Sequence, residues 1–313
     1  MKPRILLTGA NGQIGTELAI VLPPLGEVIA LDRQQLDLSK PDDIRRTIQE
    51  IRPTLIVNAA AYTAVDQAEK QEAVAQAINA DAPAWIAREA KKIGAGLVHY
   101  STDYVFDGSK HSPYEESDPP NPLSVYGKTK LAGEQAIQDV GLPHLIIRTA
   151  WVYGTRGRNF LLTILRLASQ REELRIVDDQ FGAPTWCRDI ARGTASVLAR
   201  LMADREGALS LPATGEVYHM TADGVTNWHD FAVAILEEAS HVPANVSWLR
   251  AATEGRSLVA KRLSPITTAQ YPTPARRPAY SVLSSSRLAQ RFGVRLNEWR
   301  AQLHSAFTDG EVQ

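Results

Sequence analysis

The sequence predicts an α/β fold: a Rossmann-type doubly wound parallel sheet with a smaller C-terminal α/β substrate lobe. Three observations carry that expectation. Short apolar runs alternate with longer helix-like stretches through the first half, the first run ends in the turn Gly9-x-x-Gly12-x-x-Gly15, and the pattern changes after about residue 150. Alternation of this kind calls for βαβ units with right-handed crossovers, and so for a parallel sheet.

The runs at 4–9 (RILLTG), 27–32 (EVIALD), 54–60 (TLIVNAA), 96–101 (GLVHYS) and 144–150 (HLIIRTA) are rich in Ile, Leu and Val. They are too short for buried helices and read as strands covered on both faces. Helices are expected at 13–22, 41–51, 72–93 and 123–140. Pro83 falls inside the third, where proline is tolerated only in a first turn, so a kink or restart is expected near Asp81. From 151 the chain offers helices at about 158–171, 189–203, 227–240 and 296–307, with scattered strands in LRIVD and EVYHMT. The expected division is a nucleotide-binding domain over 1–150 and a substrate lobe over 151–313, with segments free to return to the first domain. Two proline-rich segments, 111–122 and 264–280, are long enough to suggest functional loops.

Composition narrows the class. With 313 residues, 44% hydrophobic and 22% charged, the chain matches an ordinary globular protein. A net charge of -1 excludes a broad basic field for nucleic acid or anionic lipid. No apolar run approaches the roughly 20 residues that span a bilayer. The single cysteine, Cys187, cannot form an internal disulfide, and the start of the chain lacks a signal peptide's pattern. These features together point to a cytoplasmic protein, with Cys187 a buried or semi-buried thiol.

The glycine turn after the first strand suits a dinucleotide. Gly9, Gly12 and Gly15, with Gln13 and Ile14 between them, let backbone approach a pyrophosphate at a helix N-terminus. A turn whose glycines only permit helix–strand packing is the alternative. Asp32 closes the second strand where an acid reaches ribose hydroxyls and favours NAD. Arg33 beside it can pair with a 2'-phosphate or stand as a solvated charge, so both NADPH and NADH stay open. Asp37 and Leu38 are candidate adenine contacts, and the small residues ending the third strand leave room for a ligand across the sheet edge.

The chemical end lies further along. Tyr126 and Lys130 stand four apart, on one face of the expected helix. An ammonium near a phenol is expected to pull the tyrosine down from its usual value of about 10, making an acid able to protonate an alkoxide. A solvated surface pair is the alternative reading. Ser101 and Thr102 end the fourth strand at the ligand-binding edge of such sheets. Arg276 and Arg277, in the second proline-rich segment, are candidates for a substrate diphosphate, or a solvated pair. Glu115, Glu116 and Asp118 read as an acidic solvated loop rather than a cation site, and no metal is expected.

The ordered set Gly9-x-x-Gly12-x-x-Gly15, Asn58-Ala-Ala, Ser101-Thr102-Asp103 and Tyr126-x-x-x-Lys130 resembles the extended short-chain dehydrogenase/reductase family over essentially the whole chain. The resemblance implies that NADPH or NADH sits on the Rossmann domain and that the C-terminal lobe binds a dTDP-sugar whose C4 ketone is reduced. It implies Thr102, Tyr126 and Lys130 as the catalytic trio, and Tyr100 with Ala60, Ala61, Tyr62 and Thr63 beside the cofactor. It further implies Asp103 near the substrate and Trp151 against the sugar. Related dehydratases carry Asp-Glu after the active-site threonine. This chain has Asp103-Tyr104, which argues for reduction. A 4-epimerase retaining NAD and a non-catalytic reductase-like subunit are the rival readings, and the assembly is expected to be a monomer or homodimer.

Overall fold

The computed structural model describes residues 2–203, 211–212, 215–243 and 246–309. Among these residues twelve strands run in chain order as β1 Arg4–Thr8, β2 Glu27–Leu31, β3 Leu55–Asn58, β4 Gly96–Thr102, β5 His144–Thr149, β6 Val152–Tyr153, β7 Glu173–Val177, β8 Phe181–Gly182, β9 Thr185–Trp186, β10 Glu216–His219, β11 Thr226–Asn227 and β12 Arg262–Ile266. Twelve α-helices accompany them among the described residues: α1 Gln13–Val21, α2 Pro41–Ile51, α3 Val65–Ala68, α4 Glu72–Gln76, α5 Ala82–Ile93, α6 Val125–Val140, α7 Phe160–Ala168, α8 Cys187–Ala203, α9 Trp228–His241, α10 Ser247–Ala252, α11 Ser286–Phe292 and α12 Trp299–Thr308.

The central sheet has six strands in the order β10-β5-β4-β3-β1-β2, with every neighbouring pair parallel. Its strands are covered on both faces. On one side Leu6, Ile56, Leu97 and Ile146 pack with Ile44, Ile86 and Ile137. On the other, Ile5, Leu7, Val57 and Val98 pack with Leu18, Ile190 and Leu198. Strand order reverses between β2-β1 and β1-β3, which opens a crevice at the carboxyl ends of β1 and β3.

Strand β10 lies beside β5, and α8 covers the sheet next to α1. The second half of the chain therefore supplies a strand and a helix to the central layer. A separate core gathers Tyr153, Leu165, Trp186, Phe231, Trp299 and Leu303 among α7, α9 and α12. The proline interruption takes a definite form: α4 runs into a π-helical turn, Ala77–Asp81, and α5 restarts at Ala82 with Pro83 in its first turn. The first proline-rich segment meets the chain just beyond the second, because Tyr114 N–H donates to the Val282 carbonyl and Ser284 N–H to the Tyr114 carbonyl, both at 2.8 Å. Among the described residues no helix is long and apolar enough to cross a membrane.

Candidate active site

A groove of about 480 Å³ follows the carboxyl edge of β1, β3 and β4. Gly9 leaves β1 at φ +74°, and a Cβ there would stand 2.7 Å from the Ala60 backbone nitrogen, so this turn and the end of β3 approach as closely as glycine allows. Gly12, Gln13 and Ile14 line the floor at the start of α1, while Gly15 is buried against the turn. The backbone N–H groups at this helix start and the shallow walls suit a pyrophosphate.

At the far end of the groove the Asp32 carboxylate is committed to the loop. Its Oδ1 accepts the N–H groups of Gln34 (2.9 Å) and Gln35 (3.1 Å), and its Oδ2 accepts from the Asn11 amide at 2.8 Å. Arg33 is an exposed cation on the same rim. Asp37 and buried Leu38 line the groove beside them, and hydrogen bonds from Ser39 lower the Asp37 carboxyl below its usual range. Ala60, Ala61, Tyr62 and Thr63 form the opposite wall. That wall is clamped by Asn79, whose amide accepts the Tyr62 N–H at 2.8 Å and donates to the Tyr62 carbonyl at 3.1 Å. Asn79 sits in the π-helical turn, so the irregularity before Pro83 aims a side chain at the cofactor loop. Sequence reasoning flagged the kink and missed Asn79. Its one signal was a polar residue in a stretch otherwise suited to burial.

The chemical end is built by β4 and α6. Ser124 caps α6 by accepting the Gly127 N–H at 3.2 Å, which starts the helix just before Tyr126. Thr102 terminates β4, and its hydroxyl, which donates to Asp103, stands within hydrogen-bonding reach of the Tyr126 phenol. The Tyr126 ring also meets Tyr104 edge-on at 5.5 Å. Burial nevertheless pushes Tyr126 up to about 12, with the Asp103 charge acting in the same direction. The expected downward pull by Lys130 is not what the protein surroundings produce. The reason is where Lys130 goes: its Nζ donates to the Tyr100 carbonyl at 2.6 Å and lies 3.1 Å from His99 Nε2. Lys130 is buried, and burial draws its amine down to about 8. Tyr100 thus serves this end through its carbonyl, while its hydroxyl pairs with Thr194 of α8 at 2.7 Å.

Asp103 is buried, with one carboxylate oxygen accepting from Thr102 at 3.0 Å and the other without a hydrogen-bond partner; burial raises it to about 6. Ser101 and Thr149 carry buried hydroxyls without partners, and both residues line the groove. Unmet polar groups facing a groove fit a polar ligand. Trp151 has φ +48° and stacks on Trp228 at 3.4 Å, nearly parallel. Trp228, which no motif or spacing singles out, donates its indole N–H to Gln180 at 3.2 Å. The two arginines part company. Arg276 is exposed, whereas Arg277 forms a two-pronged pair with Asp66 of α3 at 2.8 and 3.1 Å and lies beside Tyr104. The acidic loop is also less solvated than expected, since Glu116 accepts the His219 N–H at 2.8 Å and Asp118 pairs with Lys110 at 2.6 Å. Cys187 is buried, and that burial pushes its thiol up to about 12.

The family model described as the RmlD substrate binding domain matches residues 1–311. The chain belongs to this family. A relative from Burkholderia thailandensis named dTDP-4-dehydrorhamnose reductase is 50% identical over 297 residues, covering 95% of each chain. Among solved structures, a dTDP-4-dehydrorhamnose reductase from Clostridium acetobutylicum superposes with a TM-score of 0.84 at 37% identity, covering 98% of each chain. One from Bacillus anthracis, in complex with NADP, also gives 0.84 at 32% identity, covering 99% of this chain and all of that one. The TM-scores make the overall fold common to this chain and those two structures.

Proposed function

We propose that this chain is an NAD(P)H-dependent oxidoreductase that reduces the C4 ketone of dTDP-4-dehydro-L-rhamnose, giving dTDP-L-rhamnose. The observation that carries the reading is that Tyr126, with Thr102 beside it, and Lys130 meet at one end of a groove whose other end suits a dinucleotide. Relatives named for this reaction, with identities up to 50% over nearly full length, support the same substrate.

When bound, reduced nicotinamide supplies the hydride. The protein's part is placement and proton supply. Tyr126 Oη gives its proton to the substrate oxygen, and the Thr102 hydroxyl orients that oxygen. Lys130, anchored on the Tyr100 carbonyl, keeps a donor for the ribose hydroxyls. The turn from Gly9 to Gly15 holds the pyrophosphate, and the rim of Asp32, Arg33 and Asp37 takes the adenosine end of NADPH or NADH. Trp151 and Asp103 face the sugar. Arg277 takes the substrate diphosphate, trading part of its pairing with Asp66, in a lobe formed mainly by residues after 150.

Oxidation of NADPH and NADH by the purified protein is to be followed with a panel of dTDP- and UDP-linked 4-keto sugars. We expect turnover that depends on added cofactor and is fastest with dTDP-4-dehydro-L-rhamnose. Absence of oxidation with every sugar overturns the reading, as does sugar interconversion by protein carrying its own stoichiometric NAD.

A further inference from the structure

Three polar side chains stand in register across the central sheet: Thr8 of β1 opposite Asn58 of β3, and Asn58 opposite His99 of β4. All three are buried, and the row ends on Lys130. The direction of each hydrogen bond along it can be worked out. Asn58 Oδ1 accepts the Thr8 hydroxyl at 2.7 Å and the Ala60 N–H at 3.2 Å, and the backbone N–H can only donate. The Asn58 amide therefore presents its NH₂ to His99 Nδ1, 3.1 Å away, which makes Nδ1 an acceptor. A neutral imidazole carries one N–H. Here it must sit on Nε2, pointing at Lys130 Nζ at 3.1 Å. An ammonium has no lone pair to receive it, whereas a neutral amine has one.

We propose that His99, its tautomer fixed by Asn58, is a positioning residue that holds Lys130 as an uncharged amine in the protein free of cofactor. Lys130 Nζ accepts the His99 Nε2–H, donates one N–H to the Tyr100 carbonyl and keeps one for the groove. Imidazolium is excluded by burial, which drives His99 well below its usual 6.5. The other charged groups around Lys130 leave the balance in place. Glu134, one turn along α6, favours the ammonium, but it is itself held by Arg148 of β5 at 2.7 Å. Tyr126 lies one turn back, with Asp103 beside it. Charging Lys130 requires the ring proton to move to Nδ1 and the Asn58 amide to turn, against the Thr8 and Ala60 bonds. The consequence for turnover rests on the role proposed for Lys130 above. The tautomer itself does not.

Two measurements on the cofactor-free protein test this without any turnover assay. Long-range proton–nitrogen correlation of the histidine rings, with His99 assigned by its loss in His99→Gln, is expected to show the Nε2–H tautomer at neutral pH. Titration of the lysine Cε resonances, with Lys130 assigned through Lys130→Met, is expected to give Lys130 a midpoint below neutral pH, lower than the value of about 8 that burial against the Glu134 charge sets. His99→Gln can turn an amide oxygen towards Nζ, so it should raise that midpoint by about one pH unit or more, roughly tenfold in the ammonium-to-amine ratio. An Nδ1–H tautomer in the unsubstituted protein overturns the proposal whatever the variants do. So does an unmoved Lys130 midpoint in His99→Gln that keeps its circular dichroism and cofactor affinity. The reductase reading can fail while these signals appear, and the reverse, so the two are tested separately.

Discussion

Gly182 is the position where a single methyl group is expected to cost the most specificity. A Cβ added there would stand 2.3 Å from Trp151 Cε2, 2.5 Å from Nε1 and 2.7 Å from Cζ2. Carbon atoms rest at about 3.5 Å or more, so Gly182→Ala needs a displacement of roughly 1 Å. Trp151 is poorly placed to give way. Its backbone is left-handed, its ring is stacked on Trp228 at 3.4 Å, and Trp228 is tied to Gln180. Overpacking of this kind costs about 1–3 kcal/mol in stability. For a ring proposed to contact the sugar, a shift of about 1 Å can cost up to a hundredfold in rate. We expect kcat/KM for the 4-keto sugar to fall about 10- to 100-fold, a loss of about 1.4–2.7 kcal/mol in transition-state binding. The NADPH dissociation constant should hold within about twofold, because its groove does not include Gly182. Steady-state kinetics beside a fluorescence titration of NADPH separates the two. A kcat/KM within twofold of the unsubstituted protein, or an equal loss of cofactor affinity, refutes the reasoning.

Tyr126→Phe keeps the edge contact with Tyr104 and removes only the proton donor, so kcat should fall by about 10²–10⁴ with NADPH affinity nearly unchanged; single-turnover kinetics checks this. Arg277→Met should raise the apparent KM for the dTDP-sugar about tenfold or more, the worth of a charge-assisted contact, while Arg276→Met does little; both are read in the same kinetic assay. Glu134→Gln leaves Arg148 buried without its carboxylate, and urea unfolding should show a loss of about 3–5 kcal/mol. Asp103 has its folded value raised from 3.8 to about 6 by burial, so the folded state binds more protons than the unfolded state between those values. Its contribution is full below 3.8 and is lost as pH rises through about 6. Asp103→Asn should remove that dependence, flattening the thermal-stability profile over this range by up to about 3 kcal/mol.

Five of the six strands of the central sheet are legible as short runs rich in apolar residues, buried or nearly so in β1, β3, β4 and β5 and only partly covered in the edge strand β2. The sixth, β10, reads as a strand in EVYHMT, but nothing local says that it pairs with β5. Parallel partners are chosen by distant crossovers, and here 66 residues separate the end of β5 from the start of β10 (149 to 216). The two-residue strands β6, β8, β9 and β11 are too short to leave a period. In the site, Tyr126, Lys130 and Thr102 are visible because helix spacing and a strand end are local properties. Trp228 and Asn79 are not, since what singles them out is a partner far along the chain: Trp151 for one and the Tyr62 backbone for the other.

The spacing of Tyr126 and Lys130 fixes only that both face the sheet. What Lys130 meets there is decided by the register of β4 against β3, which pairs His99 with Asn58 and so puts a ring nitrogen where the amine arrives. A slip of one residue in that register would turn His99 to the opposite face. Val98 or Tyr100 would then stand opposite Asn58, leaving a buried amine without the imidazole and an amide without its ring-nitrogen acceptor. The protonation state proposed for Lys130 is therefore a property of strand pairing as much as of the helix that carries it. For the same reason Tyr126, pushed up to about 12 by its protein surroundings, gains an ammonium beside it only when the row of hydrogen bonds behind Lys130 rearranges.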